Sequence, residues 1–152
     1  MNDYKEFQPG WIIFVTLILA QLLITYLYFN ELGDKPLDIN SFIIISVLNA
    51  LTCLLFYGLT TVITVDKITV YFGIGIIRKS ILINRIKSVE AVRNPWYYGW
   101  GIRFIPKGML YNISGLDGVE LKFKDTNRVI RIGTKEPIKL TEEVNKRLKT
   151  EP

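Results

Sequence analysis

Residues 41 to 65 read SFIIISVLNALTCLLFYGLTTVITV, and two kinds of pattern meet inside them. Ser41 to Tyr57 is apolar with a helical pattern, and with modest help from its flanks it is long enough to cross a bilayer core at about 1.5 Å of rise per residue. Gly58 then offers a helix C-terminal cap, and Thr60 to Val65 is wholly β-branched, which favours a strand. The chain is therefore predicted to pass from a helix into a β domain with almost no linker. That handover divides the 152 residues into an apolar helical part and a β part.

Working back towards the N-terminus, a second apolar run appears. From Phe7 to Asn30 there are 24 residues without a charged side chain, and from Ile39 to Val65 there are 27. The core of the first run, Trp11 to Phe29, exceeds the roughly 7 to 15 residues of a signal-peptide apolar region, and no small-x-small cleavage pattern follows it. It reads as an uncleaved span with Trp11 at one interface and Tyr26 and Tyr28 at the other. Gln21 is its one strongly polar interior residue, and a tolerated amide facing the second helix is the favoured reading over a transport role. Asn49 and Thr52 share one face of the second helix and are placed to hydrogen-bond towards it. The expected units are a transmembrane hairpin over 1–59, with spans at about 11–29 and 41–57, a β domain over 60–149 and a disordered tail over 150–152. The first few residues are also expected to be disordered.

Charge orients this hairpin. Residues 1 to 38 carry two basic and five acidic side chains, whereas residues 66 to 152 carry 17 basic and nine acidic. Lys67, Arg78, Lys79, Arg85 and Lys87 follow the second run closely, so the positive-inside bias predicts both termini and the β domain in the cytoplasm. The turn outside is then acidic, with Glu31, Asp34 and Asp38 against Lys35.

Beyond Val65, short apolar or alternating runs recur between turn signals, the pattern of an antiparallel sandwich or barrel of about seven or eight strands. The runs are 60–65, 68–72, 76–83, 86–92, 101–105, 109–113, 119–123 and 128–132. Pro137 then opens an amphipathic helix in which Leu140, Val144 and Leu148 share a face, expected to plug one open end. Three stretches, GWGIR, LYNISG and IGTKEP, stand in order within residues 60 to 148. With the strand pair TVDKITVYFGIGIIRKSILI, they resemble the bacterial pleckstrin-homology-like membrane proteins, in which short transmembrane hairpins precede a PH-like domain. The resemblance implies a PH-like barrel or sandwich with a C-terminal helix, and it names no ligand.

Few groups are suited to chemistry. There is no histidine, and Cys53, the one cysteine, reads as a small packing residue inside the second span, so a zinc site or a Cys/His nucleophile is not available. The close acidic pairs, Asp117 with Glu120 and Glu142 with Glu143, belong to a turn and to a polar helix face. No enzyme activity, cofactor or metal is expected.

Binding features are easier to find. Arg78 and Lys79 follow the Gly73 to Gly75 turn, where basic residues in eukaryotic PH domains capture inositol phosphates, but an adjacent pair does not alternate along one strand face. The favoured reading is a pair facing solvent or anionic headgroups. Trp96, Tyr97, Tyr98 and Trp100 crowd the loop before the strand at 101. They form either an interfacial foot at headgroup level or, as preferred, a cover over the open edge of the barrel. Interleaved basic and aromatic residues also suit single-stranded nucleic acid, but a basic domain joined to a membrane span has a simpler partner in the inner leaflet.

The leading functional expectation is a membrane-anchored binding or scaffold protein that contacts a membrane-protein partner, a second copy of itself or anionic lipid headgroups. Two alternatives stand beside it. Some small proteins resembling the family are associated with resistance to antimicrobial peptides, which suggests envelope protection or bacteriocin immunity. The other is a non-catalytic accessory subunit of a membrane enzyme or exporter.

Overall fold

The structure, a computed structural model, describes residues 3–32 and 35–150, with side chains to residue 149. Asp34 of the acidic turn, the first two residues and residues 151–152 of the expected tail lie outside the described residues.

The chain starts with a strand that sequence reading does not anticipate, β1 (Tyr4–Pro9). Helices α1 (Trp11–Phe29) and α2 (Ile39–Phe56) follow as an antiparallel hairpin. Both are long and apolar enough to cross a membrane, and no residue of either is buried. The two helices pack on each other along one side and leave large apolar side chains such as Leu19, Leu22, Ile44 and Leu48 exposed, which calls for apolar surroundings. Helix α2 begins at Ile39 rather than Ser41 because Asp38 caps it, accepting from the Asn40 and Ser41 amides at 3.1 and 3.3 Å. The expected polar seam is present in part. Asn49 Nδ2 donates to Gln21 Oε1 at 3.0 Å, and Gln21 Nε2 donates to Ser46 Oγ at 2.9 Å, but Thr52 bonds back to Leu48 O within its own helix.

Gly58 does not cap α2. Tyr57 ends the helix in right-handed geometry, and Gly58 is already the first residue of β2 (Gly58–Ile63). The remaining elements are β3 (Lys67–Phe72), β4 (Arg78–Leu82), β5 (Ile86–Arg93), β6 (Gly101–Ile105), β7 (Gly108–Asn112), β8 (Asp117–Phe123), β9 (Val129–Gly133) and α3 (Pro137–Thr150). Single 3-10 turns at Ile83–Arg85 and Trp96–Tyr98 precede β5 and β6.

The strands make two sheets, ordered β1-β2-β3-β4 and β5-β8-β9-β7-β6, and no closed barrel. Three features correct the expected seven or eight antiparallel strands. There are nine among the described residues, β7 and β9 pair in parallel, and the helical hairpin interrupts the first sheet between β1 and its antiparallel neighbour β2. β1 was hidden because its inward positions are Tyr4, Glu6 and Gln8. Alternation of apolar with polar residues, the usual strand signal, is reversed there. Most of these polar groups find partners: Glu6 accepts from Thr134 Oγ1 at 2.6 Å and from the Lys135 amide at 2.9 Å, and buried Gln8 donates to Ser114 O at 2.8 Å, although its Oε1 has no partner.

Between the sheets lies a core that includes Ile63, Ile68, Phe72, Ile83, Ile86, Leu121 and Ile132. Helix α3 adds Leu140 and Val144 to it, with Leu148 partly buried, and packs against β5 and β8. The face anticipated for α3 is the face it buries.

Candidate functional site

One end of the sandwich carries the roots of the hairpin. The Gly10 amide donates to Tyr57 O at 2.8 Å, tying the start of α1 to the end of α2. The turn between β3 and β4 joins them, since the Gly73 amide donates to Gly58 O at 2.9 Å. The loop between β7 and β8 is fastened there too, because Ser114 Oγ donates to Pro9 O at 2.9 Å.

The aromatic loop hangs from this last anchor. Trp100 Nε1 donates to Gly115 O at 3.1 Å, and the Asn94 amide donates to Leu116 O at 2.7 Å. Behind the loop, Arg131 is held between Glu120, at 2.8 Å from its Nε, and Asn94 Oδ1, at 3.1 Å from Nη1. The same guanidinium carbon lies 5.9 Å from the centroid of the Tyr98 ring. Tyr98 also packs on the small apolar cluster of Ile105, Leu110 and Val129.

The four rings therefore divide. Tyr98 and Trp100 are half-buried and fix the loop to the sandwich. Trp96 and Tyr97 point outwards, 77% and 68% exposed, and stack edge-to-face with ring centroids 6.1 Å apart. The 3-10 turn produces the division by sending consecutive side chains in different directions. Around the roots of the hairpin, Ile74 and Ile76 of the β3–β4 turn, Phe7, Tyr57 and Trp11 are exposed. Arg78 stands exposed just after that turn, Arg93 is exposed 3.9 Å from Asp117, and Arg103 donates back to Trp100 O at 2.8 Å. Exposed apolar and aromatic side chains, with Arg78 next in sequence, thus stand at the base of the two apolar helices.

Arg78 and Lys79 do not converge on a shared ligand position. Antiparallel partners share a face, and Arg78 pairs with half-buried Tyr71 whereas Lys79 pairs with buried Val70. Arg78 accordingly stays on the outer face near the hairpin. Lys79 lies on the inward face of β4, at the mouth of a groove of about 810 Å³ that opens between β4 and the β6–β7 and β8–β9 turns. Met109, Phe123, Val129 and Ile130 contribute its apolar lining, and Lys79, Arg85, Lys107 and Arg128 its charge. Sequence reading misses the groove because it depends on which strand faces which, and of its lining only Lys79 is among the expected binding residues.

No protein-family model matches the chain, and no curated protein is significantly similar to it.

Proposed function

We propose that the protein is a membrane-anchored binding and scaffold protein in which α1 and α2 cross the bacterial cell membrane and the β domain rests on the cytoplasmic leaflet. The reading keeps the resemblance to the bacterial PH-like membrane proteins. One observation carries it: exposed Ile74 and Ile76 lie in the turn bonded to Gly58 at the root of the hairpin, and exposed Trp96 and Tyr97 lie in the loop that Trp100 ties to the β7–β8 loop, itself bonded to Pro9. Amphipathic rings are favoured at headgroup level, and each nearby arginine adds at most about 1 kcal/mol with an anionic leaflet. Two helices and a foot hold the domain in one orientation and leave its far end for a partner in the cytoplasm. The charge difference between residues 1 to 38 and residues 66 to 152 supports that side of the membrane.

The test uses the full chain in nanodiscs with Trp11 replaced by phenylalanine, and reads Trp96 as the signal lost on a further Trp96→Phe replacement, so that Trp100 keeps its bond to Gly115 O. Lipids brominated high on the acyl chain are expected to quench Trp96 by at least about half, given its place at the interface. Fluorescence that stays unquenched and solvent-like would leave the foot without support. A reporter fused after Pro152 that is active only outside the cytoplasm would reverse the orientation.

A further inference from the structure

We propose that the groove between β4 and the β6–β7 and β8–β9 turns docks an extended segment of a partner protein that alternates acidic with apolar residues, laid along the free edge of β4. The proposal gives a chemistry to the partner in the scaffold reading, but it stands on a different surface from the foot.

The backbone supplies the first half of the argument. β4 ends its sheet, so one of its edges is unpaired, and Lys79 to Leu82 of this strand line the groove. Every second residue of an edge strand directs its N–H and C=O away from its sheet, and an added strand satisfies them. The side chains supply the second half. Lys79, Lys107 and Arg128 are exposed and, among the described residues, make no ion pair, while Arg85 is paired with Asp125. Among the described residues no acidic side chain lines the groove, and Asp125 offsets only Arg85, so the rim is positive over an apolar floor. Along an extended segment, side chains alternate in direction every residue. An acidic residue can then meet the rim while its apolar neighbours enter between Met109, Phe123 and Ile130.

Position favours a protein over a lipid. Lys107 and Arg128 belong to the turns at the ends of β6 and β9 remote from Trp100 and Gly115, about 15 Å beyond the hairpin roots at roughly 3.3 Å per residue. A headgroup in the leaflet beneath the foot does not reach them.

The experiment measures fluorescence anisotropy of labelled eight-residue peptides with the full chain in nanodiscs of uncharged lipid. The probes alternate Glu with Ile, alternate Lys with Ile, or carry a central proline in the Glu series. The Glu peptide is expected to bind at least about tenfold tighter than the Lys peptide. The proline removes a ladder donor and is expected to lose a comparable factor. Lys79→Glu with Arg128→Glu is expected to abolish the preference for the acidic peptide, with the circular dichroism spectrum unchanged because both side chains are exposed. Equal binding of acidic and basic peptides, or full binding by the double variant, overturns the proposal. So does saturation by short-chain phosphatidylglycerol where no peptide binds, which would make the groove a lipid site. Trp96 quenching in the same nanodiscs reports on the foot separately, so either idea can fail alone.

Discussion

Replacing Arg147 with alanine is expected to lower the thermal unfolding midpoint of the full chain in detergent by at least about 6 °C, from a loss of roughly 3–5 kcal/mol. The Arg147 side chain is 1% exposed, although it sits in a helix whose other basic residues face water. Its Nε donates to Thr64 O at 3.0 Å, Nη1 to Glu143 O and Oε2 at 2.8 Å each, and Nη2 to Ile63 O at 3.5 Å. One guanidinium thus joins the last turns of α3 to the end of β2. Alanine leaves two buried carbonyls without this donor and a large void behind them. Lysine restores a charge but not the planar fork, so Arg147→Lys is expected to lose part of the same stability. Lys146→Ala, which removes an exposed pair with Glu143, is expected to change it by less than about 1 kcal/mol. Equal midpoints for the Arg147 and Lys146 variants would show that the buried network contributes nothing.

The same network predicts a pH response. Lys146, and then Arg147, hold the Glu143 carboxyl below its ordinary 4.5. A carboxyl depressed in the folded state stabilises fully above its unfolded value and loses that contribution as pH falls through its folded one. Midpoints are therefore expected to stay flat from neutral pH down to about 4.5 and to fall below it. The fall should be smaller in Glu143→Gln, which carries no titrating group there.

How much of this was readable in the sequence follows from which signals are local. The two apolar helices, the abrupt change to β-branched residues at Thr60 and the buried face of α3 are properties of neighbouring residues, and all can be read directly. β1 escapes because its inward side chains are polar and find their partners at Ser114, Thr134 and Lys135, more than 100 residues away. The parallel pairing of β7 with β9 escapes because alternation gives a strand's faces and not its neighbours. Arg147 left a faint trace: it lies three residues after Val144 and seven after Leu140, on the apolar face of its helix. Among the aromatic residues, clustering marked the loop, but only the hydrogen bond from Trp100 to Gly115 and the turn at 96–98 separate the rings that anchor it from those that project.

The joint between hairpin and sandwich gives the other large expected effect. Gly73→Ala is expected to destabilise the full chain by roughly 3–5 kcal/mol and to open β4 to trypsin at Arg78 and Lys79. Gly73 has φ +48°, in the left-handed region, and a Cβ there would overlap the carbonyl of Leu54 and lie 2.6 Å from the carbonyl carbon of Leu55. These are backbone atoms of the last turn of α2, so no side chain can rotate away to make room. To relieve the overlap, the β3–β4 turn must withdraw from the helix, which breaks the 2.9 Å bond from the Gly73 amide to Gly58 O and carries Ile74 and Ile76 away from the foot. Gly75 separates strain from collision. Its φ is +88°, but the nearest atom to an added Cβ is Tyr71 Cδ2 at 3.6 Å, an ordinary contact. Gly75→Ala should therefore lose only the roughly 1–2 kcal/mol of the left-handed backbone. If the two variants lose the same stability and cleave at the same rate, the close approach of Gly73 to α2 does not hold the domain to its hairpin. If Gly73→Ala alone becomes protease-sensitive, the orientation of the sandwich on its helices depends on one missing methyl group.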